Sequence, residues 1–402
     1  MYFFVDIINY ILSAILLGVS VAWIFLIKSM WITFRDSPFL DRFNPKPHNF
    51  PKVSIILPAR NEEEFIEKCI NSLLEQDYKN YEIIAIDDRS DDNTGNIIKK
   101  ISREDSKVVY VLAQPKPEKW TGKNWACVEG FKKASGELLL FTDADTVHTK
   151  KTISLAVDHL MSEELDALTV IPKMLCLDWW TKITLPVLST FLHTRFSALR
   201  VNDPSKKTGY FFGSFFIIKR KTYEGVGTHE GVKSDIVEDG ALGKKVKEQG
   251  FKMKMVRGEH LVEAVWARDW ATLWHALKRL MIPLYIQSNK IAVGIFIAVL
   301  FLLFMPFPIL AYSTIFVNIS ESFAVLFGAS LLATCLFYFG SYIDAKKGLS
   351  LGFRHVLFAP IGGTIIVAGF LTGIIHARRN DSLTWRGRTY SLFETSQHSI
   401  SL

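Results

Sequence analysis

The chain has 402 residues, of which 49% are apolar and 13% aromatic, and its mean hydropathy is +0.19. This composition excludes a purely soluble protein and indicates that part of the chain lies in a membrane. Charged residues, 22% of the total, concentrate between about residues 44 and 290, which argues against a pure transporter. The net charge of +7 suits anionic headgroups and phosphates better than nucleic acid, so nucleic acid is not expected as a partner.

An apolar segment near the amino terminus predicts a membrane-spanning helix. Residues 7–27 would form a helix of about 31 Å at roughly 1.5 Å per residue, which matches the thickness of a bilayer core. Lys28, Arg35 and Arg42 follow this segment. The positive-inside rule therefore places the chain after it in the cytoplasm, and residues 1–43 are assigned to an anchor and linker.

Residues 44–260 have the pattern of an α/β domain. Short β-branched runs predict strands, and apolar residues at helical spacing predict helices between them. The strand candidates are residues 53–59, 81–88, 108–114, 137–145 and 167–173, and the helix candidates are residues 62–76 and 125–134. This alternation predicts a mostly parallel sheet covered by helices on both faces.

The next segment, residues 261–290, predicts an amphipathic helix at the membrane interface. Trp266, Trp270 and Trp274 recur at four-residue steps, and tryptophan suits the headgroup level of a bilayer. The alternative is a helix packed on the protein's own core.

Residues 291–376 predict about three transmembrane helices, in the apolar runs 291–313, 322–343 and 356–375. Simple alternation then puts the basic tail, residues 377–402, on the outside, against the positive-inside rule. One run is therefore a candidate re-entrant segment. Pro360, Gly362 and Gly363 suggest a broken helix in the last run, although a plain crossing stays open.

Two acidic residues follow the fourth predicted strand directly. Asp143 and Asp145 stand two positions apart in FTDADT. At the carboxyl end of a strand the chain opens into the crevice where α/β sheets bind ligands, and two carboxylates at this spacing can share one hard cation.

Other polar residues are expected at the same edge. Asp87 and Asp88 end the second strand, where they could bind a nucleoside or cap a turn. The first strand leads into Arg60 and Glu62, and KWTGKNWA supplies Lys123 in a flexible basic loop. Glu238 and Asp239 begin a helix, where a carboxylate could be a general base or only favour the helix dipole.

The order of these motifs, PARNEE, IDDRSDD, GKNWA, DAD and ED, resembles the inverting family 2 glycosyltransferases of the GT-A fold. The resemblance covers roughly residues 51–285 and rests on the combination of motifs. GKNWA, FTDADT, IVEDGAL and the tail motif WRGRTY are most similar to the membrane subgroup that glycosylates lipids, which includes carotenoid-acid and hopanoid-associated transferases and, more distantly, ceramide glucosyltransferases.

The resemblance implies a GT-A Rossmann-like domain inserted between transmembrane helices, which transfers a sugar from a nucleotide-sugar donor, UDP-hexose, to a lipid acceptor. It makes Asp239, beside Glu238, the catalytic base. It implies that Asp143 and Asp145 hold Mg²⁺ or Mn²⁺ on the donor diphosphate. The nucleotide-sugar site that it implies consists of Pro58, Arg60, Glu62, Asp87, Asp88, Lys123 and Asp143.

One motif departs from the family pattern. Polymerising and ceramide-modifying relatives carry Q/R-x-x-R-W after the ED, whereas this chain reads WHALKRLMIP. Arg268, Lys278 and Arg279 are candidates for the missing phosphate contact, and the absence argues against a processive polysaccharide synthase.

Two other functions stay open. A polyprenyl-phosphate sugar synthase of the dolichyl-phosphate type would share all of these motifs. A catalytically silent membrane scaffold would be expected to lack the DAD or ED carboxylates, which are present. The expected location is the cell membrane, with several crossings and a cytoplasmic catalytic domain.

Overall fold

The computed structural model of the chain describes residues 2–379, 382–385 and 388–391, and it contains two compact units. The first, called the α/β unit, consists of Ser37–Leu175, Ala198–Val265 and Asn380–Leu402. The second, called the helical unit, consists of Met1–Asp36, Cys176–Ser197 and Trp266–Arg379.

The strands form two sheets and one hairpin. In chain order they are β1 Val53–Ala59, β2 Tyr81–Asp87, β3 Val108–Leu112, β4 Leu138–Phe141, β5 Thr146–His148, β6 Ala167–Ile171, β7 Lys173–Cys176, β8 Phe216–Lys219, β9 Met253–Arg257, β10 Val262–Ala267, β11 Ser382–Trp385 and β12 Arg388–Ser391. The large sheet has the order β3-β2-β1-β4-β8-β6-β9, the small one β5-β10-β7, and β11 pairs with β12.

The helices surround these sheets or belong to the helical unit. In chain order they are α1 Tyr2–Asp36, α2 Ile66–Leu74, α3 Thr94–Glu104, α4 Gly122–Phe131, α5 Thr152–Ser162, α6 Trp179–Arg195, α7 Ala198–Asn202, α8 Arg220–Gly225, α9 Glu238–Glu248, α10 Trp270–Gln287, α11 Asn289–Leu303, α12 Pro306–Phe316, α13 Glu321–Lys347, α14 Phe353–Leu357 and α15 Ala359–Arg379. A 3₁₀ turn, His229–Val232, precedes α9.

The large sheet confirms the mostly parallel architecture expected from the sequence. In β1, Ile55 lies opposite Ile83 of β2 and Leu140 of β4, and both pairings are parallel. Strand β8 runs antiparallel to both β4 and β6. The central strands are buried along almost their whole length, which explains why their sequences are continuous apolar runs without alternation.

The parallel strands bring several chain turns to one edge of the sheet. Ala59 at the end of β1 lies opposite Asp87 at the end of β2, and β4 ends beside them at Phe141. Because parallel strands share their carboxyl edge, the turns after β1, β2 and β4 meet there.

Helices α1, α13 and α15 of the helical unit are long and apolar enough to cross a membrane. Helices α11 and α12 pass the same test as a pair, but they are bent by 48°. The bend has a local cause: Pro306 has no N–H to donate to the carbonyl of Leu302, and the indole N–H of Trp23 donates to that carbonyl instead at 3.2 Å.

The last apolar run differs in detail from the expectation. It begins in α14, turns at Phe358 and continues as α15 without interruption at Gly362 or Gly363. Pro360 lies in the first turn of α15, where a missing N–H costs nothing because first-turn N–H groups have no helical partner.

The amphipathic helix begins later than the sequence suggested. Asp269 and Thr272 form a capping box, so α10 starts at Trp270. Trp266 lies in β10, so the expected stripe of three tryptophans on one helix is wrong. Trp266 and Trp274 are partly buried against the core of the helical unit, while Trp270 is 41% exposed.

Candidate active site

The turn after β1 is locked to the turn after β2. Arg60 donates to the carbonyl of Asp88 at 2.8 Å, and the Asn61 amide donates to the Ser90 hydroxyl at 3.1 Å. Asn61 has a positive φ of 54°. Arg60 therefore links the two turns, and Pro58 precedes it within β1.

Glu62 is buried, and its backbone amide donates to the Thr94 hydroxyl at 2.7 Å. This bond ties the β1 turn to the first residue of α3. Glu62 thus lies inside the turn region, as the sequence placed it.

Asp87 and Asp88 are both buried at the carboxyl end of β2, but they have different partners. Asp87 accepts hydrogen bonds from the Ser90 amide at 2.8 Å and the Tyr110 hydroxyl at 3.4 Å, so it caps the turn. Asp88 accepts a hydrogen bond from the guanidinium of Arg388. Burial raises the pKa of Asp88, although Arg388 opposes that rise.

Lys123 lies in the first turn of α4, which Thr121 caps by accepting a hydrogen bond from the Asn124 amide. The ammonium nitrogen of Lys123 is 2.7 Å from Asp143 Oδ1 and 2.6 Å from Glu238 Oε1. Burial alone would lower the pKa of Lys123, but the neighbouring carboxylates raise it well above the ordinary value. The lysine therefore stays charged and connects the DAD and ED motifs.

The DAD motif is held firmly at the end of β4. The Thr142 hydroxyl is buried and donates to the carbonyl of Ser214 at 2.7 Å, and the Thr146 amide donates to the carbonyl of Asp143 at 3.3 Å. Asp143 and Asp145 are only partly buried. Their carboxylates therefore lie where a ligand can reach them.

Asp239 lies in the first turn of α9 with Glu238. It accepts hydrogen bonds from the Gly240 amide at 2.7 Å and the Gly213 amide at 2.8 Å. Burial, together with the charge of Glu238, raises the pKa of Asp239 to about 7. A carboxylate that titrates near neutrality is suited to accept a proton from a hydroxyl.

Gly213 is a site residue that sequence reasoning missed. A Cβ at this position would lie 2.9 Å from Asp239 Oδ2, 3.0 Å from Asp143 Oδ2 and 3.1 Å from Lys123 Nζ. The three charged groups therefore converge on one glycine. The available signal was a glycine inside an aromatic run, FFGSFF, which marks a close approach of the backbone to other groups.

The carboxylates fit a shared cation better than an all-protein metal site. Among residues 2–379, 382–385 and 388–391, no group of three or more His, Cys, Asp or Glu side chains could hold a metal. Mg²⁺, however, is usually bound by one or two carboxylates together with substrate phosphates and waters. Asp143 and Asp145 match this donor set.

The remaining candidates lie in the other unit. Six candidates belong to the helical unit, and their roles stay predictions: Arg268, Lys278, Arg279, Trp266, Trp270 and Trp274. Conversely, Arg388 and Tyr390 of the tail motif lie beside Asp88 and Gly122, although sequence reasoning assigned them no role in the site.

Comparison with known proteins gives matches to glycosyltransferases. The model of "Glycosyl transferase family 2" matches residues 54–227. A 4,4'-diaponeurosporenoate glycosyltransferase from Staphylococcus aureus is 24% identical over 212 residues, which are 52% of this chain and 55% of that protein. A GalNAc(5)-diNAcBac-PP-undecaprenol beta-1,3-glucosyltransferase from Campylobacter jejuni is 37% identical over 95 residues, which are 24% of this chain and 30% of that protein. The matches thus span about half or less of these relatives.

Among solved structures, a mannosyltransferase from Pyrobaculum calidifontis in complex with GDP-Man and Mn²⁺ has a similar fold. Its TM-score is 0.52 at 17% identity, and the match covers 83% of this chain and 99% of that one. At this identity the likeness concerns the fold.

Proposed function

We propose that the chain is an inverting membrane glycosyltransferase of family 2 that transfers a sugar from a nucleotide-sugar donor to a lipid acceptor. The match of residues 54–227 to the family model and the GT-A fold support this proposal. The observation that carries this proposal is the convergence of Asp143, Lys123 and Asp239 at Gly213. This convergence supports the assignment of a base and of diphosphate contacts to neighbouring residues.

In the proposed reaction, Asp239 takes the proton from the acceptor hydroxyl as that oxygen attacks the anomeric carbon of the donor sugar. Inversion follows because attack and departure take place on opposite faces of that carbon. Glu238 pairs with Lys123 at 2.6 Å, so it holds the ammonium group between the two motifs. Lys123 lies beside Asp143, so its ammonium group would bind a donor diphosphate held at Asp143.

A divalent cation is part of the proposal. Asp143 and Asp145 would hold Mg²⁺ or Mn²⁺, which would neutralise the charge of the leaving nucleoside diphosphate. The fold neighbour from P. calidifontis is described with Mn²⁺ and GDP-Man, which supports a divalent cation and a nucleotide sugar as ligands of this fold. UDP-hexose is the donor that we propose for this chain.

A lipid acceptor is supported by two kinds of observation. One matched relative is named for a carotenoid acid and another for an undecaprenol-linked glycan. The chain also has helices apolar enough to span a membrane. The second name keeps a polyprenyl-linked acceptor as the alternative to a neutral or weakly acidic lipid.

The test is transfer of labelled sugar from UDP-glucose, UDP-GlcNAc and GDP-Man into membrane lipids by the purified chain, with Asp239→Asn compared to wild type. We expect Asp239→Asn to lower turnover by about 10² to 10⁴, the usual range for a general base, while UDP binding persists. Glu224→Gln is the control, because it also converts a carboxylate into an amide but lies at an exposed position of α8. This variant should stay active.

Three results would contradict the proposal or part of it. Loss of UDP binding in Asp239→Asn would make Asp239 a donor ligand or a structural cap. Full wild-type activity in excess chelator, or in Asp145→Asn, would show that the reaction needs no divalent cation at this position. Absence of transfer from every donor to any lipid would overturn the function itself.

A further inference from the structure

The hairpin of β11 and β12 contacts two residues near the candidate nucleotide site, Asp88 and Gly122. Strands β11 and β12 pair antiparallel, with Trp385 opposite Arg388, and both strands belong to the α/β unit. Arg388 and Tyr390 are two positions apart on β12, so their side chains point to the same face of the hairpin. Both side chains contact residues of the candidate site.

Arg388 binds Asp88 at two points. One guanidinium nitrogen donates to the carboxylate oxygen Oδ2, and another donates to the Asp88 carbonyl at 3.0 Å. The side chain of Arg388 is 16% exposed and that of Asp88 is 5% exposed. A largely buried ion pair with two hydrogen bonds fixes the orientation of the carboxylate.

Tyr390 fixes the other side of the same corner. Its hydroxyl accepts a hydrogen bond from the Gly122 amide, the first of α4, at 3.3 Å, and Tyr390 is 7% exposed. A Cβ on Gly122 would lie too close to the ends of the Arg388 and Asp88 side chains, so a larger residue here would displace them. The hairpin thus contacts the turn after β2 and the start of α4.

The second oxygen of Asp88 has no such partner. Oδ1 is buried and has no hydrogen-bond partner among the residues that the structure describes. A buried carboxylate oxygen without a donor is costly, so this atom is suited to a ligand N–H. Arg388 leaves this one acceptor available while it holds the other oxygen.

We propose that Arg388 and Tyr390 complete the nucleoside subsite of the donor, with Arg388 as a positioning residue that orients Asp88 so that Oδ1 accepts an N–H of the nucleobase. This inference rests on the proposed function in so far as the donor is a nucleotide sugar. The ligand class is a base with a ring N–H, as in uracil or guanine. Adenine and cytosine carry a ring nitrogen acceptor at the corresponding position.

The primary test measures binding of UDP and GDP, each with MnCl₂, to the full-length chain by calorimetry. Arg388→Ala should weaken binding by about tenfold or more, because a hydrogen bond to a charged group contributes about 1.5–3 kcal/mol. Arg388→Lys keeps the charge but not the paired geometry, so it should restore part of the loss. Tyr390→Phe should show a smaller loss.

Arg379→Ala is the matched control. Arg379 is an exposed arginine at the end of α15, so its replacement removes one positive charge close to the hairpin in sequence. It should bind UDP like wild type. CDP and ADP should bind wild type more weakly than UDP and GDP.

Steady-state kinetics separate a positioning role from a purely structural one. If transfer is observed, Arg388→Ala should raise the donor KM and leave kcat and the lipid KM nearly unchanged. A parallel loss of kcat, lipid binding and thermal stability would instead show a structural role and overturn the inference. If Arg388→Ala does not fold, the graded effect of Arg388→Lys and Tyr390→Phe on UDP affinity decides the question.

Failure of this inference is distinguishable from failure of the proposed function. Wild-type transfer with unchanged or tighter UDP binding in Arg388→Ala overturns the subsite alone. Arg388-dependent UDP binding without transfer to any lipid supports the subsite and contradicts the proposed function. Absence of nucleotide binding by wild type overturns both.

Discussion

Gly213 shows how one residue without a side chain can set the geometry of a site. Its amide donates to Asp239, and the position of its absent Cβ is within 3.1 Å of three charged groups. A methyl group there would push Asp239 and Asp143 away from their places. Glycine is therefore required by space and not by a positive φ.

We predict that Gly213→Ala lowers turnover by about 10²-fold, because displacement of a catalytic group by about 1 Å has an effect of this size. The fold should persist, since the atoms that must move are the ends of side chains. Turnover and thermal unfolding are measured on the same preparation.

Gly225→Ala is the control for this prediction. A Cβ at Gly225 would meet only Phe251, at an ordinary distance of 3.4 Å. Equal activity of the two variants would show that the carboxylates tolerate displacement, and the proposed geometry would then be wrong.

Asp235 is a buried carboxylate outside the proposed reaction. Neither of its oxygens has a hydrogen-bond partner within the described part of the chain, and it is 1% exposed. Burial raises the pKa of Asp235 to about 7. The folded chain therefore holds this proton more tightly than the unfolded chain, whose aspartates titrate near about 3.9.

This shift makes stability depend on pH. Because the folded state binds more protons between about pH 4 and 7, stability falls as the pH rises through this range and then levels off. We predict that Asp235→Asn is more stable than wild type at pH 8, by roughly 1 kcal/mol or more, and that the gain is smaller at pH 5.

Thermal unfolding at the two pH values checks the prediction. Asp203→Asn is the control, because Asp203 is only partly buried and hydrogen bonds from Ser205 lower its pKa. A stability difference between Asp235→Asn and wild type that does not change with pH would show that the protonation of Asp235 is not coupled to folding.

At the scale of elements, the structure changes which tryptophans are candidates for membrane contact. Trp180 of α6 and Trp270 of α10 are 42% and 41% exposed, and their rings lie 5.2 Å apart. Both belong to the helical unit. Trp274 stacks on Trp270 at 5.5 Å but packs against the core of that unit.

We predict that Trp180→Ser combined with Trp270→Ser raises the KM for the lipid acceptor, because exposed indoles suit the headgroup level and their loss weakens docking. UDP binding and thermal stability should be nearly unchanged. Vesicle co-sedimentation and lipid kinetics are measured on the purified variant.

Trp274→Ser serves as the comparison within the same helix. It should lower thermal stability, as removal of a large side chain from a core does. Unchanged vesicle binding in the double variant, or a loss of UDP binding together with it, would contradict the interface role.

The whole molecule raises the question of how many helices cross the membrane. Within the helical unit, α1 and α13 run parallel, since Asn9 bonds to Ser322 at 3.0 Å and the ring of Trp23 lies 5.5 Å from that of Phe337. Helix α12 runs antiparallel to α13, since the ring of Phe307 lies 5.1 Å from that of Phe337 and the ring of Phe316 lies 5.6 Å from that of Phe323. If the carboxyl end of α1 lies in the cytoplasm, the carboxyl end of α13 lies there too. The bent pair of α11 and α12 then runs from the cytoplasm to the outside.

The tail then restricts the last helix. Arg388 contacts Asp88 within the α/β unit, so we expect the described part of the tail to lie on the same side of a membrane as that unit. The bent pair of α11 and α12 and helix α13 make two crossings in opposite directions, so the chain is back on the side of the α/β unit before α15 begins. We therefore predict that α15 does not cross the bilayer, which puts Lys346, Lys347 and the basic tail together in the cytoplasm.

Single cysteines in a cysteine-free background check this topology with a membrane-impermeant maleimide on intact cells. A cysteine at Ile319, which is 54% exposed, should react, whereas cysteines at Gly352 and Ser401 should react only after permeabilisation. Reaction of the Ser401 site in intact cells would show that α15 crosses.

The sequence by itself determined the elements whose signals are local. Strands β1 and β2 were predicted almost to the residue, because strands buried on both faces are unbroken β-branched runs. The acids at the ends of β2 and β4 were expected at one edge because parallel strands share their carboxyl edge. Glu238 and Asp239 were expected at the start of a helix, where α9 begins. The family model that matches residues 54–227 agrees with the resemblance to family 2 glycosyltransferases, and the GT-A fold was confirmed.

Tertiary structure decided whatever depends on contacts between residues distant in the chain. The three-residue strand β5 pairs with β10 more than a hundred residues away, and so short a strand has no periodic pattern to recognise. Gly213 is a site residue only because Asp143 and Asp239 approach it. Arg388 reaches Asp88 across 300 positions, and no local pattern in the sequence encodes such a contact, because packing alone sets it.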